Sequence, residues 1–544
     1  MTQSDPDSND RSEWWRSGLS LAVLPLALVT AGFYFNAIAG PYWQWNRLDP
    51  SYFYLLDGLN LFNGDPPGHI AHPGVTVQSL YAVVIRLITL GGDVGDPITS
   101  ILADPERLLS LMAGLFIVFN AAALWGLGRI ALTTFNSTAA ALGCQLAPFM
   151  STLILKHAIL PKPEALVVLA TTALLAVTVL ALRPALRQAR PMALTLAFAA
   201  VAGFGVATKL TVAPIFLLPL FLMVRRRDIL VYMIAALTAF VIFTLPAAGA
   251  YQEFAEWVMR VAVSSGAHGA GAATIIDLDS YPGAVAKIFK RPSLRVPMIL
   301  SVLALAVLWW HRRKDGEPSA SLESRALLGI VVAQAAHILF VAKQPAAHYM
   351  LPSYMVSALS TVLALRILWQ ARPSGGRWAH SGPTIAAGLF AIFVTAQTAG
   401  MVKLDRFFID INENAMANDD SRFARCARVY IYAASNPSFA MFLADRVTGL
   451  RFSKKLKPLH PANDFWIEDW FDQNKFDFRN WDGSQDFNVV RATYPCLYIR
   501  GNRSNGLKQF LRQTAPDLKY QTTCSRSLEM IATVGVDCDG RLQP

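Results

Sequence analysis

Four short stretches of this chain set ionisable side chains beside apolar runs, where charge is costly and therefore a mark of function. Residues 46–78, NRLDPSYFYLLDGLNLFNGDPPGHIAHPGVTVQ, carry Asp49, Asp57, Asp65, His69 and His72. LKHAILPKPEAL (155–166) carries Lys156, His157, Lys162 and Glu164, VATKLT (206–211) carries Lys209, and FVAKQPAAHYMLP (340–352) carries Lys343 and His348. A carboxylate held at an interface can take a proton from a hydroxyl. Lys and His can offset negative charge as it develops on an anion nearby. Asp49 is the candidate base. Pro50 biases its backbone to an extended or turn entry, and Tyr52 and Tyr54 would wall it from bulk water. Glu164 would orient the second reactant or share a cation. Lys209, Lys343 and His348 would hold the anion, and Lys162, His268, Tyr349 and His72 complete the binding set. Simpler roles compete at each position. Asp57 and Asp65 read as solvent-facing or capping carboxylates, and Glu164 as a first-turn complement to a helix dipole. Lys209 and Lys343 could snorkel from span ends, and His157 and His337 read as structural.

What must position these groups is a membrane domain. The 544 residues are 54% hydrophobic and 16% charged, with a mean hydropathy of +0.37, which points to a polytopic α-helical membrane protein. The net charge of +11 fits the positive-inside bias, and no basic–aromatic nucleic-acid motif accompanies it. Apolar spans are expected at 19–39, 108–133, 139–155, 165–182, 192–208, 210–224, 229–248, 296–310, 326–341, 351–368 and 384–401. Arg129, Arg183, Arg187, Arg190, Arg225–Arg227, Arg312, Arg313, Lys314, Arg372 and Arg377 mark every second connection. Those connections are then cytoplasmic, as is the N-terminus (1–16), and all four candidate clusters fall on the outer face. The segment 75–90 is too short to span and contains Arg86, so it reads as an interfacial helix. The layout is a membrane domain (17–403) with outer loops 40–106 and 250–294, multi-pass in the inner (plasma) membrane. Lys287, Lys290, Arg291 and Arg295 in and after the second loop read as a stripe facing anionic lipid.

Residues 404–544 change character and lack a spanning stretch. Strand patterns at 429–433 and 496–500, each followed by a helical pattern (438–447 and 507–513), indicate a small extracytoplasmic α/β domain. It holds Cys426, Cys496, Cys524 and Cys538, whose spacings match no zinc pattern and suit two disulfides of open connectivity. Cys144 sits alone in an apolar span.

Asp49-Pro50-Ser51-Tyr52, Gly64 and His72-Pro73-Gly74 resemble the first outer loop of polyprenyl-phosphate-dependent glycosyltransferases of the GT-C architecture. That group includes protein O-mannosyltransferases and the lipid A aminoarabinose transferases. PKPEAL (161–166) is similar to their second acidic motif, GVATKLT (205–211) to their small-residue and Lys turn, and HYMLPSYMVSAL (348–359) to their aromatic Leu-Pro motif. Pro50 stands where an acidic residue often follows the Asp, and Glu164 replaces a frequent Asp. The resemblance covers residues 17–400 in topology. It implies transfer of a sugar from a polyprenyl-phosphate donor to an extracytoplasmic lipid, glycan or protein, with Asp49 as base. The partners implied are that donor, membrane lipid and the acceptor, not nucleic acid. No cofactor is required by the pattern; a divalent ion, Mg or Mn, would take Asp49 and Glu164 as ligands. A secondary transporter would show internal repeats and mid-span charges, which this sequence lacks. A catalytically inactive glycan-lipid binding or scaffold protein remains the rival from another class.

Overall fold

The computed structural model describes residues 6–44, 47–71, 73–90, 96–223, 225–266, 269, 271–315, 321–371, 378–431, 434–467, 478–502, 512, 519 and 529–542. The chain divides into two compact units. One comprises Met1–Tyr34, Ile70–Val77 and Ala113–Leu404, and the other Phe35–His69, Gln78–Met112 and Asp405–Pro544.

Among the described residues, eight helices are long and apolar enough to cross a membrane: Leu19–Ile38, Pro105–Phe135, Pro163–Ala181, Pro191–Thr208, Arg226–Val263, Pro292–Arg313, Leu322–Ala342 and Ala347–Gln370. Pro163–Ala181 and Ala347–Gln370 are the central pair, with 72% of their apolar windows buried against 11% for Arg226–Val263. The outer helix presents Leu230, Met233, Ile234, Leu237 and Val241 outward, a surface that only lipid would solvate without cost. Two of the eleven expected spans are interrupted, and a third, 384–401, extends beyond the described side chains. Segment 139–155 is broken into Thr138–Gln145, a 3₁₀ turn at Ala147–Phe149 and Thr152–Ala158, with Ser137 and Ser151 capping the two helices. Segment 210–224 is a 3₁₀ run, Leu210–Phe221, because Pro214 and Pro219 each remove a donor from the ladder. Segment 384–401 lies inside a longer helix, Trp378–Met416. Near the expected span end at 248 the α-helix gives way to a 3₁₀ segment, Leu245–Ala250, kinked at Ala247, before a further helix at Tyr251–Val263.

Segment 75–90 forms a helix, Val75–Thr89. Its 15 residues reach about 22 Å, short of the roughly 30 Å of a hydrocarbon core.

The second unit is built on a six-stranded sheet in the order β4-β3-β2-β1-β5-β6, from β1 (Ala427–Ile431), β2 (Asp464–Ile467), β3 (Phe478–Asn480), β4 (Gly483–Gln485), β5 (Leu497–Asn502) and β6 (Glu529–Val534). β1 runs parallel to both β2 and β5, with Val429 opposite Phe465 and Ile499. Ala427, Val429, Ile431, Leu497 and Ile499 face one core, and the alternate residues Tyr430, Tyr498 and Arg500 face the other side. Arg500, only 2% exposed, is satisfied there by Glu529 Oε2 at 2.5 and 2.8 Å, Asp420 at 3.0 and 3.1 Å, and the Ala415 carbonyl. The helix expected at 438–447 is Pro437–Val447, capped by Asn436. The pattern at 507–513 lies outside the described residues apart from Arg512.

The same unit holds the first polar loop as far as His69, and Gln78 after it, which the sequence alone does not assign to this domain. Pro50 does not force an extended entry: Asp49 and Pro50 lie in the first turn of a helix, Leu48–Asn63, where the N–H that proline lacks has no partner to lose. Gly64, at φ +90°, ends that helix. Asp57 is not solvent-facing. It is fully buried, and its carboxylate accepts from the backbone N–H of Gly68 (2.7 Å) and His69 (3.0 Å) and from the side chains of Asn60 (3.1 Å) and Gln78 (3.0 Å). Burial pushes this carboxyl up to about 7, against the pull of those backbone donors and Asn60. Gly68 sits where any side chain would strike the backbone of Thr448, so loop and helix cap pack main chain to main chain. Asp57→Ala would strand several buried donors and is expected to cost about 3 kcal/mol, at about 1–3 kcal/mol per unsatisfied group. Lowered thermal stability and faster proteolytic nicking between 64 and 72 are the readouts; an unchanged midpoint would mean that the loop is held some other way.

Cys426 and Cys496 form a disulfide, bridging the residues just ahead of β1 and β5 with a Cα separation of 4.6 Å. Cys538 is also disulfide-bonded, and Cys524 lies outside the described residues. Cys144 is buried and free. Alkylation of the denatured, unreduced chain is expected to label Cys144 alone. Labelling at Cys426 or Cys496 would contradict the staple between β1 and β5.

Candidate functional site

The first unit gathers one carboxylate and several cations at common helix ends. Lys162 is in extended conformation at the N-cap, Pro163 opens the helix Pro163–Ala181 with its fixed φ, and Glu164 follows in the first turn, where a negative charge complements the dipole. Lys209 terminates Pro191–Thr208, also in extended conformation (φ −158°), before the 3₁₀ run begins. That extended residue makes a backbone bridge to Pro73, and Thr208 shares a hydrogen bond with Thr76 at 2.8 Å. The HPG turn is thereby pinned on the lysine's main chain. His348 and Tyr349 stand in a 3₁₀ turn, Ala347–Met350, at the head of Leu351–Gln370.

Lys209 Nζ donates to Glu164 Oε1 at 2.5 Å, with both residues 4% exposed. His348 Nε2 lies 3.9 Å from the same oxygen. The Tyr349 ring lies beneath the Lys209 ammonium, 4.8 Å away, and stands edge-on to His348 at 4.4 Å. His157 stacks obliquely on His348 at 5.2 Å, so a residue expected to be only structural belongs to the cluster. Burial lowers the Lys156 ammonium to about 8, and neighbouring Lys162 adds to the drop. Burial, then Lys162, also holds the His157 imidazole well below its usual value. Cationic groups thus crowd one carboxylate in a water-poor setting, and an arriving anion would relieve their mutual repulsion. Deeper in the same unit His337 bonds Ser353 Oγ at 2.7 Å, in keeping with a structural role.

Glu164, Lys162, Lys209, His348 and Tyr349 are therefore brought together. Lys343 stands apart from that pair, donating to the Ala262 carbonyl at 2.5 Å on the wall of a cavity of about 430 Å³. Ser265, Asp277, Tyr281 and Gln344 share that wall, and Tyr349 lines it while touching Lys209. In the second unit Tyr52 and Tyr54 are fully buried. The Tyr52 hydroxyl donates to Glu106 Oε1 at 2.6 Å, and Tyr54 packs edge-on to His69, so both anchor the helix that carries Asp49. The side chain of Asp49, and all of His72 and His268, lie outside the described residues. Glu106, which also accepts from the backbone N–H of Tyr42, carries no local signal in sequence beyond its place in a helix's first turn.

Hard divalent ions take six or more oxygen ligands. The side chains described around Glu164 are Lys and His, and no group of three or more His, Cys, Asp or Glu converges among the described residues; the Asp49 carboxylate that would share a divalent ion with Glu164 lies outside them.

No protein-family model matches the chain, and no curated protein does. Among solved structures the chain is similar to the crystal structure of ArnT from Cupriavidus metallidurans bound to undecaprenyl phosphate. The TM-score is 0.42 at 12% identity, over 94% of this chain and 97% of that one.

Proposed function

We propose that the chain is an integral membrane glycosyltransferase that moves a sugar from a polyprenyl-phosphate donor to an extracytoplasmic acceptor. The observation that carries this reading is the buried Glu164–Lys209 pair ringed by Lys162, His348, His157 and Tyr349. A leaving phosphate gains charge as the glycosidic bond breaks, and preorganised cations in a desolvated site stabilise that charge far more than water does. Lys209 and His348 would contact the phosphate, with Glu164 holding Lys209 in place. The adjoining polar cavity offers hydroxyl, amide and carboxylate groups to a sugar. Asp49 is the proposed base, on the strength of its motif. The orientation follows the arginines: Arg183 follows Pro163–Ala181 and Arg190 precedes Pro191–Thr208, at the ends of those helices remote from Glu164 and Lys209. By the positive-inside bias this arrangement supports an outer-face position for the cluster.

Mass spectrometry of lipid extracted from the purified chain is expected to find a polyprenyl phosphate, and proteoliposomes supplied with a polyprenyl-phosphate sugar should release polyprenyl phosphate. Absence of both would remove the donor assignment.

A further inference from the structure

The two helices that end at the Glu164–Lys209 cluster have their other ends at a second cavity. Pro163–Ala181 contributes Ala181, about 26 Å along its axis from Glu164, and Pro191–Thr208 contributes Pro191, Leu194 and Thr195. The cavity encloses about 450 Å³. Its floor is apolar (Leu194, Phe198, Leu222, Met223), and its rim carries Arg187, Gln188, Arg225 and Asp228.

The rim is built rather than merely solvated. Arg187 Nη2 donates to the Leu222 carbonyl at 2.8 Å, and Arg325 Nη2 to the neighbouring Met223 carbonyl at 2.8 Å. Each fixes its guanidinium beside the cavity while leaving further N–H groups to donate. Arg187 lies close enough to Arg325 and Asp228 to feel both charges. Asp228 is 8% exposed. Its closest cation is Arg227 Nε at 3.7 Å, beyond hydrogen-bond distance, and Arg227 itself is largely exposed. Among the described residues this mostly buried carboxylate has no close side-chain hydrogen-bond donor, and its setting among guanidinium groups over an apolar floor suits a ligand with an anionic group, a cationic group and a hydrocarbon body.

We propose that this cavity binds a phospholipid whose phosphodiester is esterified to a primary alkylammonium, with the phosphate on Arg187 and Arg225 and the ammonium on Asp228. Arg pairs with phosphate through two parallel donors. The uncapped start of the Pro191–Thr208 helix adds a weaker attraction of the same sign. Asp228 distinguishes this site from a plain basic pocket. A purely anionic head group would set its charge against that carboxylate, whereas an –NH₃⁺ group can donate to it. A quaternary ammonium has no N–H to give and would leave the carboxylate unsatisfied. The floor residues then take the first methylenes of the acyl chains.

The test is native mass spectrometry of the full chain in detergent, titrated with short-chain phosphatidylethanolamine, with short-chain phosphatidylcholine, and with free O-phosphoethanolamine. Phosphatidylethanolamine is expected to be retained about tenfold more tightly than phosphatidylcholine, a difference of about 1.4 kcal/mol. Asp228→Asn should erase that preference, and Arg187→Gln combined with Arg225→Gln should weaken both lipids by about tenfold or more. Equal retention of the two lipids by the unaltered chain would overturn the ammonium assignment without need of any variant. Unchanged retention by the double arginine variant, shown to be folded by its thermal midpoint without added lipid, would overturn the site. Free phosphoethanolamine binding as tightly as the lipid would make it a site for a soluble phosphate ester and overturn the lipid assignment.

Discussion

Asp49→Asn is expected to lower sugar transfer by about 10²–10⁴-fold, the range that a positioned general base contributes. The substitution keeps size and shape and removes the ability to take up a proton. Asp49 sits in the first turn of the helix Leu48–Asn63, whose position is fixed from three sides. Asp57 ties the middle of that helix to Gly68 and His69, Tyr52 ties its start to Glu106, and Tyr54 packs on His69. Losing one carboxylate in its first turn should therefore leave the fold intact, and donor affinity should shift only a few-fold. The readout is single-turnover transfer with saturating polyprenyl-phosphate sugar, alongside donor binding. A fall in the chemical step with little change in donor affinity is what a base lost without lost binding gives. Near-normal transfer by Asp49→Asn, with transfer abolished by Glu164→Gln, would move the base to Glu164.

Local pattern in this sequence speaks reliably about elements and poorly about where their ends meet. The strand at 429–433 and the helix at 438–447 are legible because alternation and a capping Asn announce them, and β1 and Pro437–Val447 follow within a few residues. The break in 139–155 is also announced, by Ser137, Pro148 and Ser151, but hydropathy outvotes those signals when a span is counted. Asp57 shows the limit. On paper it is one of three acidic residues in a polar loop, indistinguishable from Asp65, and its burial is decided by Gln78 and the close approach of Thr448 from far along the chain.

The cluster was legible in its members and not in its pairings. Glu164, Lys209 and His348 can each be picked out as charges at span ends, because such positions are costly without a purpose. Nothing in PKPEAL or VATKLT says that one oxygen of Glu164 accepts from Lys209 and lies 3.9 Å from His348. That depends on two helices ending at one level, a property of packing. The place of His157 is hidden for the same reason: its ring contact with His348 joins residues 191 positions apart.

Lys209→Met is expected to weaken donor binding and to reduce transfer by about 10²–10³-fold, the loss seen when a preorganised donor to a developing anion is removed. It should also destabilise the chain by about 3–5 kcal/mol, because it leaves the Glu164 carboxylate buried without its partner. Those two effects would be confounded in the single variant, and a second substitution separates them. Combining Lys209→Met with Glu164→Gln leaves no orphaned charge at nearly constant volume, so the thermal midpoint should recover most of what the single variant lost. Transfer should not recover, since the ammonium that meets the phosphate is still missing. Glu164→Gln alone should keep more donor binding than Lys209→Met, because Lys209 stays charged although less firmly placed. A double variant that regains both stability and donor binding would show that the pair serves only packing between the ends of Pro163–Ala181 and Pro191–Thr208. The phosphate would then have to be held elsewhere, with Lys343 on the cavity wall the next residue to replace.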